Sequence, residues 1–184
     1  MPTTATPQNY VWEDCSVISP SAINPTGPDG SMTVITNAAG YLGCLLSDAV
    51  GESCTFQLQI SHQHAPGTDV HPHIHIVRCD GSDNTGNCEF ELNARVIPLK
   101  GAAFAWTGNV AGATTSQPAD GANQSGLITW SLANSTYNFG PSDIILCVVR
   151  RSGTTTGAIA LTSADLHIQK GPFGTVNEGD RLAG

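Results

Sequence analysis

The chain has 184 residues and a net charge of −8, with 12% charged residues, 40% apolar residues and only seven lysines and arginines. So few cations exclude a nucleic-acid surface, which needs them to displace counterions from phosphate, and exclude attraction to anionic membranes for the same reason. No apolar run approaches the ~18 residues of a membrane-spanning helix, and abundant Gly, Ser, Thr, Asn and Pro favour one domain of short strands joined by turns.

Residues 1–31 carry Pro2, Pro7, Pro20, Pro25 and Pro28 and few periodic apolar positions, which reads as an extended N-terminal arm. Tyr10 and Trp12 are its candidate partner-binding anchors, because large aromatics give an arm something to bury. The arm either reaches another molecule or folds back over its own domain. In the first case residues 1–31 are dispensable for folding. The domain proper is expected over residues 32–170, with 171–184 as a C-terminal tail. The start MPTTATPQNY lacks the basic and apolar segments of a secretion signal, so synthesis in the cytoplasm is expected.

The first strand of the domain is expected at 32–36. Cys44 and Cys54 follow in apolar LGCLL and ESCTF and, with Cys147 in ILCVV, read as small core residues. Residues 55–60 alternate, Phe56, Leu58 and Ile60 opposing Gln57 and Gln59. A histidine-bearing strand spans 70–79. Residues 88–97 alternate again, Phe90, Leu92, Ala94 and Val96 opposing Glu89, Glu91, Asn93 and Arg95. Cys79 and Cys88 flank the turn-forming DGSDNTGN, so these two strands read as a hairpin across which the two thiols face each other or pair. Residues 107–126 form a long polar loop, preceded by Trp106, and strands are expected at 127–133, 143–151 and 157–168. Seven or eight short strands with turns between them predict an all-β protein, an antiparallel sandwich of jelly-roll type.

Five of the six histidines fall between His62 and His75. On a strand His71, His73 and His75 share a face, and His167 shares a face with Asp165 near the end of the last strand. If the two strands are neighbours, His73, His75 and His167 form a three-histidine site for a divalent transition metal, with Asp165 as ligand or as acceptor behind it. The alternative is that no cofactor is held and His62, Asp69, His71, His73, His75, Asp165 and His167 serve as a structural hydrogen-bonding cluster. The hairpin register decides whether the histidines face inward or lie outside among Glu91, Asn93 and Arg95. Gly67, His73 and His75 also meet half of a cupin metal motif, with Asp80 where a glutamate is wanted, but no second cupin motif follows. With no nucleophile elbow, phosphate loop or dinucleotide turn, no catalytic residues are expected and the chain is not read as an enzyme.

The stretch from His62 to His75, through Gly67-Thr-Asp69 and His71-Pro-His73, resembles a family of tailed-bacteriophage virion structural proteins sharing a GTDxHPHxH string. A second stretch also fits, Ile144 to Arg150 followed by Asp165 and His167; Ile76 and Cys88 depart from the family pattern. The resemblance spans residues 54–168. It implies a jelly-roll virion component, foremost a capsid decoration or cement protein that stabilises the major capsid protein lattice. Its implied partners are the major capsid protein or other virion proteins and further copies of itself, as a dimer or trimer. Other settings it allows are a tail, neck or head-fibre component with a receptor- or glycan-binding role, which the 107–126 loop and Trp106 would suit. A cupin-like metal protein is the reading from a different class.

Overall fold

A computed structural model describes residues 11–18, 24–26, 31–34, 42–46, 53–78, 87–98, 117–118, 125–152 and 159–170. In chain order the elements are β1 (Val11–Ile18), β2 (Asn24–Thr26), β3 (Ser31–Val34), β4 (Leu42–Leu46), β5 (Ser53–Gln59), β6 (Val70–Arg78) and β7 (Asn87–Cys88). There follow β8 (Phe90–Ile97), β9 (Gln117–Pro118), β10 (Ser125–Thr129), the one-turn α1 (Asn134–Tyr137), β11 (Ile144–Arg151) and β12 (Ile159–Lys170). The first sheet runs β10-β6-β12-β4-β3, with β1 also paired to β12; the second runs β2-β5-β11-β8; β7 and β9 form a separate short pair. Every pairing is antiparallel.

From β4 onward the longer strands alternate between the sheets, β4, β6, β10 and β12 in the first and β5, β8 and β11 in the second. That interleaving is the jelly-roll sandwich expected from the sequence. Period-2 patterning drives it: Cys54, Phe56 and Leu58 of β5, Phe90, Leu92 and Ala94 of β8, and Ile145, Cys147 and Val149 of β11 point inward. They meet Cys44 and Leu46 of β4, Ile74 and Ile76 of β6, Ile128 of β10 and Leu161, Ala164, Leu166 and Ile168 of β12 in one core.

Three expectations change. The histidine strand and the 88–97 strand do not form a hairpin: β6 lies between β10 and β12, and β8 pairs with β11 in the other sheet. The histidines therefore never lie beside Glu91, Asn93 and Arg95. The turn-rich DGSDNTGN suggested a short reversal, but the hydrophobic faces of both strands are covered only when the chain crosses between sheets. Cys79, the loop around Trp106 and Tyr10 lie outside the described residues. Second, Cys44 and Cys54 are not free core thiols. They form a disulfide with Cα atoms 6.8 Å apart, tying β4 of one sheet to β5 of the other, while Cys147 is the free buried thiol expected. Third, of the two alternatives left open for the N-terminal segment, its described part takes the second and lies on its own domain: β1 pairs with β12 from Val11↔Lys170 to Ile18↔Ala164, and β2 pairs with β5. Cys15 and Ile18 pack against the core, which is why Val11–Ile18 adheres.

Two outcomes follow for stability. Closing a loop of sequence separation 10 restricts the unfolded chain, so reducing the disulfide should lower the unfolding free energy by about 2–3 kcal/mol. Urea denaturation in oxidising and in reducing buffer measures this, and coincident curves would mean that the bond is not formed in solution. Deletion of residues 1–18 strips β1 from β12 and uncovers core beneath Cys15 and Ile18. The truncated chain should melt well below the full chain in a calorimetric scan, in contrast to the expectation that it folds undisturbed.

Candidate functional site

Strand β6 sends Ile74 and Ile76 into the core, so His71, His73 and His75 stand on the outer face of the first sheet. What they meet there is set by β12. Its register against β6 shifts between Leu161↔Ile76 and Ser163↔His75, leaving Thr162 as an extra residue whose hydroxyl donates to the His75 carbonyl at 3.1 Å. This bulge reverses the phase of the strand. Ile159 and Leu161 are buried before it, and Ala164, Leu166 and Ile168 after it, so Asp165 and His167 come out on the histidine face. Asp165 lies directly opposite His73, and His167 opposite His71.

Asp165, 5% exposed, pairs through Oδ1 with Nε2 of His73 and through Oδ2 with Nε2 of His75 at 3.1 Å. His73 is 2% exposed and its ring centroid lies 4.2 Å from that of His167 and 5.4 Å from that of His75. On the far side of β12, β1 brings Asp14 opposite His167, whose Nε2 pairs with Asp14 Oδ1. Among the described residues, potential ligand atoms converge in two groups, His73–His75–Asp165 and Asp14–His73–His167, each within 4.8 Å. The neighbouring of the two strands that the three-histidine set required is thus present, but His75 and His167 fall in different groups, each completed by an aspartate. Asp14 was not foreseen. It sits in a proline-bearing segment with no motif, and only the β1–β12 pairing brings it here.

The other residues of the expected cluster do different work. Gly67 adopts φ +79, a left-handed conformation that costs a residue with a side chain roughly 1 kcal/mol. Thr68 closes the turn by donating to the Ala65 carbonyl at 2.7 Å, and Asp69 Oδ1 accepts the Asn134 N–H at 2.8 Å, holding the start of α1. Pro72 has no N–H to give; the β6–β10 ladder ends at Thr129↔His73 and resumes beyond it as the Val70↔Leu132 bridge. His62 bonds to Ser142 Oγ at 2.6 Å. His64, buried, bonds through Nε2 to the Thr68 hydroxyl and carbonyl at 3.1 and 3.2 Å. Gly67, Thr68 and His64 therefore build the entry to β6, while Asp69 both ties that entry to α1 and faces His71 electrostatically. Trp12 of β1 packs edge-on to His71, with centroids 4.7 Å apart, and remains 47% exposed; on the opposite flank Leu127 of β10 is 39% exposed. These are the exposed large apolar side chains among the described residues, and both lie on the histidine face.

No protein-family model and no curated protein matches the chain. Among solved structures, it is similar to a Clostridium thermocellum xylanase 10B fragment comprising CBM22-1 and GH10 modules complexed with xylohexaose, at 12% identity and TM-score 0.49 over 91% of this chain. The chain spans only 30% of that structure's length. It is also similar to a xylan-binding module, CBM15, at 14% identity and TM-score 0.44 over 86% of this chain and 97% of the other. A third is the mannan-recognising module TmCBM27, at 8% identity and TM-score 0.41 over 86% and 98% of the two chains. Likeness of this degree concerns the sandwich architecture and says nothing about what this chain binds.

Burial pushes the imidazoles of His64, His71 and His73 below the ordinary value of 6.5, against opposing contributions from the Thr68 carbonyl at His64, Asp69 at His71 and Asp165 at His73. The unfolded chain then takes up protons near 6.5 while the folded chain still resists, so stability is present above 6.5 and is lost as pH falls toward the lowered folded values. Melting temperature should drop as pH goes from 7.5 to 5.5, and His64→Gln should make that drop shallower. A wild-type melting temperature independent of pH over this range would contradict the burial of these rings.

Proposed function

We propose that this chain is a non-catalytic binding module that takes a saccharide on the outer face of its first sheet. The observation that carries the reading is the exposure of Trp12 and Leu127 on one sheet face, on either flank of a band of imidazoles and carboxylates. An exposed aromatic side chain beside polar groups on one rigid face offers the two kinds of contact that a recognition surface uses. A pyranose ring suits it. Its C–H face can lie on an aromatic plane, and its hydroxyls both donate to carboxylates and accept from imidazole N–H groups. Trp12 is well placed for that role, since its edge contact with His71 fixes the ring without covering it.

The sequence resemblance to phage virion proteins supplies the setting, a tail, neck or head-fibre component with a receptor- or glycan-binding role. Engagement of Val11–Ile18 in the protein's own sheet removes that stretch from the extended arm with which the cement role was read.

Glycan-array screening of the full chain, followed by calorimetry on the best hit, tests the proposal. Trp12→Ala should weaken binding about tenfold or more while leaving the fold intact, as expected for an aromatic anchor of a contact. A chain that binds no glycan on the array, or a Trp12→Ala variant that binds as tightly as the wild type, would sink the reading. Co-sedimentation with capsids after such a failure would return the cement role to first place.

A further inference from the structure

We propose that His73, His75 and Asp165 hold one divalent transition-metal ion on the outer face of the first sheet, independently of any saccharide. The three groups come from rigid positions: two alternate residues of a central strand and the residue directly opposite one of them on the next strand. Ligand atoms bound tetrahedrally at about 2.1 Å stand about 3.4 Å from one another. The two imidazole nitrogens and the carboxylate oxygens already lie within 4.8 Å, so small ring rotations bring them onto a common ion.

Hydrogen bonding within the fold leaves this group incomplete. The Asp165 carboxylate is nearly buried, and its partners among the described residues are the two imidazoles, with no lysine or arginine. Nδ1 of the buried His73 has no hydrogen-bond partner among them either. A buried carboxylate needs a counter-charge, and a divalent ion supplies one while being held by neutral nitrogen donors. Two nitrogens and one carboxylate suit zinc, copper, nickel or cobalt and not calcium or magnesium, which prefer all-oxygen shells.

The neighbouring Asp14–His73–His167 group draws on the same His73, and a single ion per chain is the stoichiometry expected. The ion belongs with Asp165 and not with Asp14, because Asp165 is buried while Asp14 is exposed. With three protein ligands and a half-exposed His75, the remaining coordination position opens to solvent.

Calorimetric titration of zinc into the untagged, chelator-treated full chain tests this, with cobalt absorption as a second readout. The expected result is saturation at one ion per chain and a higher melting temperature with zinc. His75→Ala, which removes a half-exposed ring, and the isosteric Asp165→Asn should each weaken binding by more than about 100-fold, beyond what loss of an outer hydrogen bond costs. His62→Ala should bind as the wild type. Circular dichroism confirms that each variant is folded. Absence of saturable binding would overturn the proposal. So would zinc binding that survives His75→Ala unchanged and is lost in His167→Ala, which would put the ion in the other group.

Discussion

One extra residue in the longest strand fixes the outer face of the first sheet. If β12 paired with β6 without the Thr162 bulge, the residues after Leu161 would keep their earlier phase, and Asp165 and His167 would turn into the core while Ala164, Leu166 and Ile168 turned out. The second half of the strand would then be intolerable, since a buried unpaired carboxylate and three exposed apolar side chains both cost free energy. The bulge lets a single strand present Ile159 and Leu161 to the core at one end and Ala164, Leu166 and Ile168 at the other. The polar cluster is what the outer face receives in exchange.

That cluster sits on the most constrained part of the sheet. β6 and β12 are flanked on both sides, so their backbones are held by ladders in both directions and their side chains point from a stiff platform. Rigid placement is what a recognition surface needs, because little ordering remains to be done on binding. The GTD turn prepares the same platform from one end. Gly67 supplies the backbone conformation, Thr68 locks the turn, and Asp69 ties the strand entry to α1.

Much of the sandwich was legible because its strands have two unlike faces. Residues 55–60 and 88–97 alternate apolar and polar positions, and β5 and β8 bury the expected side; 143–151 was read as a strand without a face, and β11 forms there. The common face of His71, His73 and His75 follows from strand geometry alone. Other features depend on pairings between distant segments, which local pattern does not carry. The neighbours of β6 are β10 and β12, both far along the chain, whereas proximity in sequence pointed to the 88–97 strand. LGCLL is apolar without alternation, so β4 gave no strand signal and Cys44 none of its bond to Cys54. Prolines dominated the reading of the first thirty residues and concealed β1, whose irregular register between Cys15 and Ile18 breaks the period as well. Asp14 was lost with it.

The Cys44–Cys54 bond also has a mechanical meaning. It is a covalent rivet between the two sheets, and the chain between its ends is removed from the length that tension on the termini can draw out. Ten residue spacings, about 33–36 Å of contour, stay locked while the bond is intact. A pull that peels β4 from β12 or β5 from β11 must still carry both sheets together through this point. The sandwich therefore opens under load as a tethered pair of sheets, and the reduced protein is the longer and weaker spring.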